Sequence, residues 1–355
     1  MLALVLAAGG CATLQPTVVD SGPSATRTPS PDVRPSPPPA SLPTGTAPTP
    51  SQPPPSPSKR SPTPSERPSA PSTERPTSPG PTRTARPRLT QLPRGGRTVF
   101  PRYRLAGWVG TPGAPALGQL GDGPLDGQVD AMERQVAAYG AGRQVLPVME
   151  LIAVVAQRAP GPDGEYRYRQ PDRVVDQWLR VARAHKALLL LNIQPGRSDF
   201  LTEVRAYAKY LRQPDVGIAL DPEWAMAPGQ VPGRLFGHST GAEINAVSAY
   251  LARVVGRYRL PQKVLVFHQV AGSVVTGLAA LKPHAGVVVI RSVDGIGSPA
   301  QKTATWNDIN RDRNPAVHPG FKLFFHEDRA RSGGVLMSPQ QVLALRPRPE
   351  YVMYE

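Results

Sequence analysis

From Tyr103 onward the chain alternates between two hydrophobic rhythms. Short, nearly continuous apolar runs recur at 104–110, 145–154, 187–194, 216–223, 263–269, 286–293, 321–328 and 351–355. Between them, segments at 125–139, 172–185, 198–211, 242–258 and 339–345 space their apolar residues three and four apart. The first rhythm predicts strands buried on both faces, and the second predicts amphipathic helices. Strands alternating with helices imply a parallel sheet covered on both sides. Eight strands and seven connections in about 250 residues predict an α/β fold, a TIM-type (βα)8 barrel, with no helix after the last strand. A doubly wound sheet is the alternative.

One run supports the barrel by its alternation. In 216–223, Gly217, Ala219, Asp221 and Glu223 fall on one face, while Val216, Ile218 and Leu220 fall on the other. The small residues suit a crowded barrel interior, and the branched ones suit packing beneath helices.

The first hundred residues follow neither rhythm. Of the 45 prolines, 24 lie between Pro16 and Pro93, mixed with Ser, Thr and scattered Arg. Such a stretch buries too little apolar surface to offset its ordering entropy, so it is expected to be a disordered, extended tether. The expected organisation is a signal segment at 1–11, a linker at 12–97 and a barrel at 98–355.

Cys11 is the only cysteine, which excludes an internal disulfide and a Cys-based metal site. It follows the apolar run at 2–8 and the pair Gly9-Gly10. This arrangement resembles the cleavage box of bacterial lipoproteins, which implies lipidation of Cys11 and an extracytoplasmic, membrane-anchored protein. No basic residue precedes the run, so a start upstream of Met1 is expected. No later apolar run is long enough to span a bilayer, so the lipid is the expected membrane contact.

The net charge is +15, and in the linker Lys and Arg outnumber Asp and Glu eleven to four. That balance favours anionic membrane or wall polymers. The basic residues alternate with Pro and Ser rather than with aromatics, so nucleic acid is not expected as a partner. The sequence defines no oligomeric state.

Polar residues gather where the apolar runs end: Glu150, Asn192 and Gln194, Asp221 and Glu223, His268 and Gln269, Arg291 and Asp294, His326 to Asp328, and Glu355. In a (βα)8 barrel the C-terminal strand ends surround the active-site mouth. Asp221-Pro222-Glu223-Trp224 is the sharpest case. Two carboxylates at i and i+2 on a strand share one face, about 6.6 Å apart along the chain. Glycoside hydrolysis uses such a pair, one protonated and one ionised. Trp224 offers a flat face to a sugar ring. Glu223 is therefore the expected acid/base and Asp221 its partner. Glu150, Asn192, Trp224, His268, Asp294, His326 and Asp328 are the expected substrate-binding residues. Trp108, Trp306 and Tyr354 serve either as sugar platforms at the mouth or as core.

The Asp221-x-Glu223 element resembles its counterpart in Chalaropsis-type lysozymes and, more distantly, in chitinase-type barrels. Their further acids have no match here: Val216 and Ala219 stand upstream, and the first run reads Ala106-Gly107-Trp108. GIALDPEW at 217–224, LPQKVLVFHQ at 260–269, GFKLFF at 320–325 and the ending at 349–354 are similar to a family of uncharacterised actinobacterial lipoproteins. That resemblance implies the anchor and the barrel but no known reaction. The Asp221/Glu223 pair within its ring of polar strand ends gives the leading expectation, a cell-surface, glycoside-hydrolase-like barrel acting on or binding cell-wall or other polysaccharide.

Two other readings stand beside it. A barrel lacking those acids suits a non-catalytic, glycan-binding protein. Gly237-His238-Ser239-Thr240-Gly241 fits the G-x-S-x-G elbow of serine hydrolases, with Ser239 as nucleophile. The same segment contains Thr240-Gly241-Ala242-Glu243, a capping box that opens a helix. The six histidines form no close-spaced ligand pair; His268, His326 and Asp328 are the alternative to the expectation of no metal and no cofactor.

Overall fold

The computed structural model describes residues 90–355. The signal-like segment, Cys11 and most of the Pro-rich linker lie outside the described residues. Eight parallel strands form the barrel wall: β1 Tyr103–Gly110, β2 Gln144–Ala156, β3 Leu188–Ile193, β4 Val216–Leu220, β5 Lys263–Gln269, β6 Val287–Val293, β7 Val317–Leu323 and β8 Tyr351–Tyr354. The short segment Arg167–Arg169 adds antiparallel to the end of β2. β1 pairs in parallel with both β2 and β8, which closes the sheet into a TIM-type barrel. Helices α1 Leu125–Val136, α2 Asp172–Ala184, α3 Phe200–Ala206, α4 Ala208–Leu211, α5 Gly241–Tyr258, α6 Pro299–Ile309, α7 Glu327–Arg331 and α8 Pro339–Ala344 fill six of the seven connections. The connection from β5 to β6 carries only short 3₁₀ turns.

Strand alternation divides the core into two layers. Leu105, Val109, Leu146, Val148, Leu190, Ala219, Val264, Val266, Ile290 and Met353 pack in the barrel interior. Val216, Ile218, Leu220, Leu265, Phe267 and Val352 face the helices. Gly217 lies on the crowded inner face. A Cβ there would sit 2.6 Å from both a Leu190 methyl and the Val264 carbonyl oxygen, so only glycine fits. The alternation inferred for residues 216–220 is the one the barrel uses.

Three boundaries differ from the sequence expectation. The fourth strand ends at Leu220, and Pro222–Trp224 forms a 3₁₀ turn. Asp221 and Glu223 therefore do not share a strand face. The seventh strand starts earlier, at Val317, and runs through Pro319; residues Glu327–Arg331 form the short helix α7 instead of strand. The folded unit also begins before residue 98. Leu92 is buried, Arg94 donates to Glu133 and the Val145 carbonyl, and Tyr103 Oη donates to the carbonyls of Arg94 and Gly95.

Candidate active site

The inner face changes character along the strands. Below, it is apolar; above, the same alternation brings in Glu150 after Val148, Asn192 after Leu190, His268 after Val266, Ser292 after Ile290 and Lys322 after Gly320. Asp221 and Asp294 follow directly on β4 and β6. Glu150, Asn192, Asp221, His268, Ser292, Asp294 and Lys322 are all buried. Buried charges persist only when paired and hydrogen-bonded, and these residues meet that condition.

His268 stands at the centre. Its Nδ1 lies 2.6 Å from Asp294 Oδ2, and its Nε2 lies 3.0 Å from Glu150 Oε1. Asn192 Nδ2 donates to both Glu150 Oε1 (2.8 Å) and Asp221 Oδ1 (2.9 Å). Gln194 Nε2 donates to Asp221 Oδ2 at 3.1 Å, and Ser292 Oγ donates to Asp294 Oδ1 at 2.7 Å. Tyr351 Oη donates to Glu150 Oε2. Lys322 bridges Asp294 at 3.3 Å and Glu355 at 2.5 Å. Residues from β2, β3, β5, β6, β7 and β8 thus join in one network.

This arrangement separates the protonation states of its acids. Burial alone would raise Asp294, but His268 and Lys322 outweigh it and bring Asp294 down to about 2. Burial also acts against Glu150, and His268 overrides it, so that carboxyl too lies below its ordinary range. His268 is held charged well above its usual range: burial opposes the charge, but Asp294 and Glu150 prevail. Glu223 moves the other way. Burial raises it well above the ordinary carboxyl range, and the like charges of Asp221 and Asp294 add to the effect. Asp221 is raised as well, chiefly by burial.

Glu223 is only half-buried as a residue, but its Oε2 is sealed from solvent without a hydrogen-bond partner among the described residues. Asn192 Oδ1 is in the same condition. A sealed, unpartnered acid oxygen is costly, and a catalytic role is one of the reasons a native structure keeps one.

The segments that follow the strands carry an apolar rim. Tyr168, after β2, is 50% exposed, Phe236, after β4, is 46% exposed, and Ile296, after β6, is 49% exposed. Leu235 and Val335 add to it. Trp224 is half-buried in the turn beside Glu223.

Other expected residues lie elsewhere. Asp328 is outside the central network. It pairs with Lys302 at 2.9 Å and accepts the N–H groups of Gly297 and Phe324, tying the segment after β6 to the one after β7. His326 is exposed at the start of α7, so His268, His326 and Asp328 do not form one ligand set. Trp108, Trp306 and Tyr354 are core residues between barrel and helices. Trp108 Nε1 donates to Gln135, Trp306 Nε1 donates to the Arg346 carbonyl, and the hydroxyls of Tyr354 and Tyr139 lie 2.6 Å apart.

Ser239 has a capping role. Its Oγ donates to Glu243 Oε2 at 2.8 Å, beside the Thr240/Glu243 capping box of α5. The residue precedes the helix in the two-residue strand Ser239–Thr240, paired with Val275–Thr276. Its neighbour His238 bonds Thr276 instead. A nucleophile needs a base within hydrogen-bond reach, and Ser239 contacts a carboxylate already engaged in the cap.

Lys322, Tyr351 and Ser292 were not singled out from sequence. A lone Lys inside the apolar run Gly320-Phe321-Lys322-Leu323 was the available signal for the first, since a buried lysine needs acidic partners. Asp130, Glu133 and His185 cluster on the outer surface of the helical layer, where Arg94 already pairs with Glu133.

No family model and no curated protein matches the chain. Among solved structures it is similar to one titled "Crystal Structure of Hyperthermophilic Endo-beta-1,4-glucanase in complex with substrate". The identity is 8%, the match covers 59% of this chain and 76% of that chain, and the TM-score is 0.31. At that score the likeness carries no weight for the reaction.

Proposed function

We propose that the barrel is a glycoside-hydrolase-like domain acting on cell-wall or other polysaccharide. The observation that carries this reading is the contrast between Glu223 and its neighbours. Burial lifts Glu223 well above the ordinary carboxyl range and its Oε2 has no partner among the described residues, while Glu150 and Asp294 lie below that range. Cleavage of a glycosidic bond requires an acid that protonates the leaving oxygen and a carboxylate that stabilises or attacks the sugar cation.

Glu223 supplies the proton. Asp221 is the better second carboxylate, because each of its oxygens accepts only one side-chain donor and keeps capacity for substrate. Asp294 is saturated by Ser292, His268 and Lys322, so it serves as the charge anchor. Asp221 and Glu223 are both raised and titrate as a pair, with Glu223 the more strongly raised of the two. Tyr168, Phe236 and Trp224 provide faces for sugar rings. On the Cys11 reading, this chemistry takes place outside the cell on a lipid-anchored protein.

A second reading, a non-catalytic glycan-binding barrel, is favoured by the saturation of Glu150 and Asp294 through internal partners. One experiment separates the two. Purified protein and Glu223→Gln are incubated with peptidoglycan and a panel of neutral and amino-sugar polysaccharides, and new reducing ends are counted. Turnover that falls at least about 100-fold in Glu223→Gln supports catalysis. Glycan binding without turnover in either protein supports the second reading.

A further inference from the structure

We infer that the outer face built by α3, α4 and α5 docks on the anionic phospholipid headgroups of a membrane. Two tyrosines of α5 are each bracketed by two arginines. Arg205 and Arg253 lie 5.7 and 5.9 Å from the Tyr250 ring, and Arg212 and Arg257 lie 5.5 and 5.6 Å from the Tyr258 ring. Arg259 follows at the end of the helix. All five arginines are exposed, and none forms a salt bridge among the described residues.

The carboxylates of this region are committed elsewhere. Glu203 is buried between Arg167 and Arg169, Asp215 pairs with Arg183, Asp199 caps α3, and Glu243 caps α5. The face therefore has uncompensated positive charge, held in place by aromatic rings. Guanidinium groups match phosphate geometry through paired donors. Tyrosine, apolar in body and polar at its tip, suits the boundary between headgroups and acyl chains.

Position selects a membrane over another polyanion. Helices in the barrel run opposite to the strands, so the α5 C-terminus and Arg212 lie at the floor, away from the mouth. The first described residues lie alongside: Thr90 Oγ1 and Arg97 donate to the Arg259 carbonyl, and Arg97 also donates to that of Leu260. Thr90 and Arg97 thus lie beside this face. The choice of membrane rests on the Cys11 anchor reading; the basic face itself does not. Docked this way, the barrel would present its mouth away from the bilayer.

The test uses the full chain with Cys11→Ser, so that no lipid can anchor it. Sedimentation with vesicles of phosphatidylcholine containing 30 mol% phosphatidylglycerol, as a probe composition of roughly that anionic content, measures partitioning. Replacing Arg205, Arg212, Arg253 and Arg257 with Gln is expected to lower the partition coefficient about 100-fold. Replacing the same four with Lys is expected to restore most of it. The control removes equal charge from segments after the strands, at Arg158, Arg234, Arg329 and Arg331, and is expected to change it less than about threefold. Equal losses in the two Gln variants would reduce the effect to net charge and overturn the proposal. So would binding of a DNA duplex that depends on these four arginines while vesicle binding does not.

Discussion

His268 Nδ1 and Asp294 Oδ2 lie 2.6 Å apart in the barrel interior, and both residues are sealed from solvent. The pair is the hinge of the site's electrostatics. It keeps the imidazole charged and Asp294 ionised, and the ionised Asp294 in turn helps hold the proton on Glu223.

Removing the imidazole leaves Asp294 and Glu150 facing each other's charge without their shared partner. His268→Leu is expected to destabilise the fold by about 3–5 kcal/mol, the cost of breaking a buried pair. Equilibrium denaturation in urea measures it. A loss below about 1 kcal/mol would mean that water or Lys322 replaces the imidazole without cost.

The same pair gives stability a defined pH dependence. Asp294 is lowered from 3.8 to about 2, so its contribution is complete above 3.8 and is lost as pH falls through about 2. Linkage puts this at about 2 kcal/mol, and Glu150 acts in the same sense. His268, raised above 6.5, contributes fully below that value and loses its contribution as pH rises through its folded value. Both contributions are complete between about 3.8 and 6.5. Across that window the raised Glu223 and Asp221 act in the opposite sense to Asp294, so stability should fall as pH rises through it. In Asp294→Asn the acid limb should flatten, as read from denaturation midpoints across pH.

Ser239→Ala removes one donor to Glu243 and leaves the Thr240 cap intact. A stability loss of about 1 kcal/mol is expected, with turnover unchanged. Loss of turnover together with covalent labelling of Ser239 by a fluorophosphonate would restore the serine-hydrolase reading.

Phe236 is exposed on the segment between β4 and α5 and buries little on folding. Phe236→Ala is expected to weaken glycan binding about 5- to 10-fold, from the stacking face it removes. Its melting temperature should stay within a degree or two of the parent's. Differential scanning fluorimetry and affinity electrophoresis on glycan gels report the two effects separately.

Much of this arrangement was legible in the chain. Continuous apolar runs and the small-residue face of 217–221 pointed to a parallel barrel, and polar strand ends gathered Glu150, Asn192, Asp221, His268 and Asp294 in advance. Four features escaped for physical reasons. β7 starts at Val317 and runs through His318 and Pro319, neither of which extends the apolar run that marked the strand. α6 has few apolar positions, so its rhythm was faint, but Ser298-Pro299 with Gln301 formed a capping box that marked its start. Tryptophan and tyrosine suit both a core and a sugar platform, and Trp108, Trp306 and Tyr354 belong to the core. Asp328 sat in the expected run of polar residues, yet Lys302, nearly thirty positions earlier, drew it into a different contact. Tertiary partners decided these cases, and spacing does not reveal them.

The central claim is that Glu223 holds its proton to higher pH than Glu150 and Asp294 do. Carbon-13 NMR of the glutamate side-chain carboxyls, with the Glu223 resonance assigned by its loss in Glu223→Gln, follows that proton directly. The expected result is a titration midpoint well above 4.5, falling when Asp221 is replaced by Asn. A midpoint at or below 4.5 would leave the site without its acid and contradict the account.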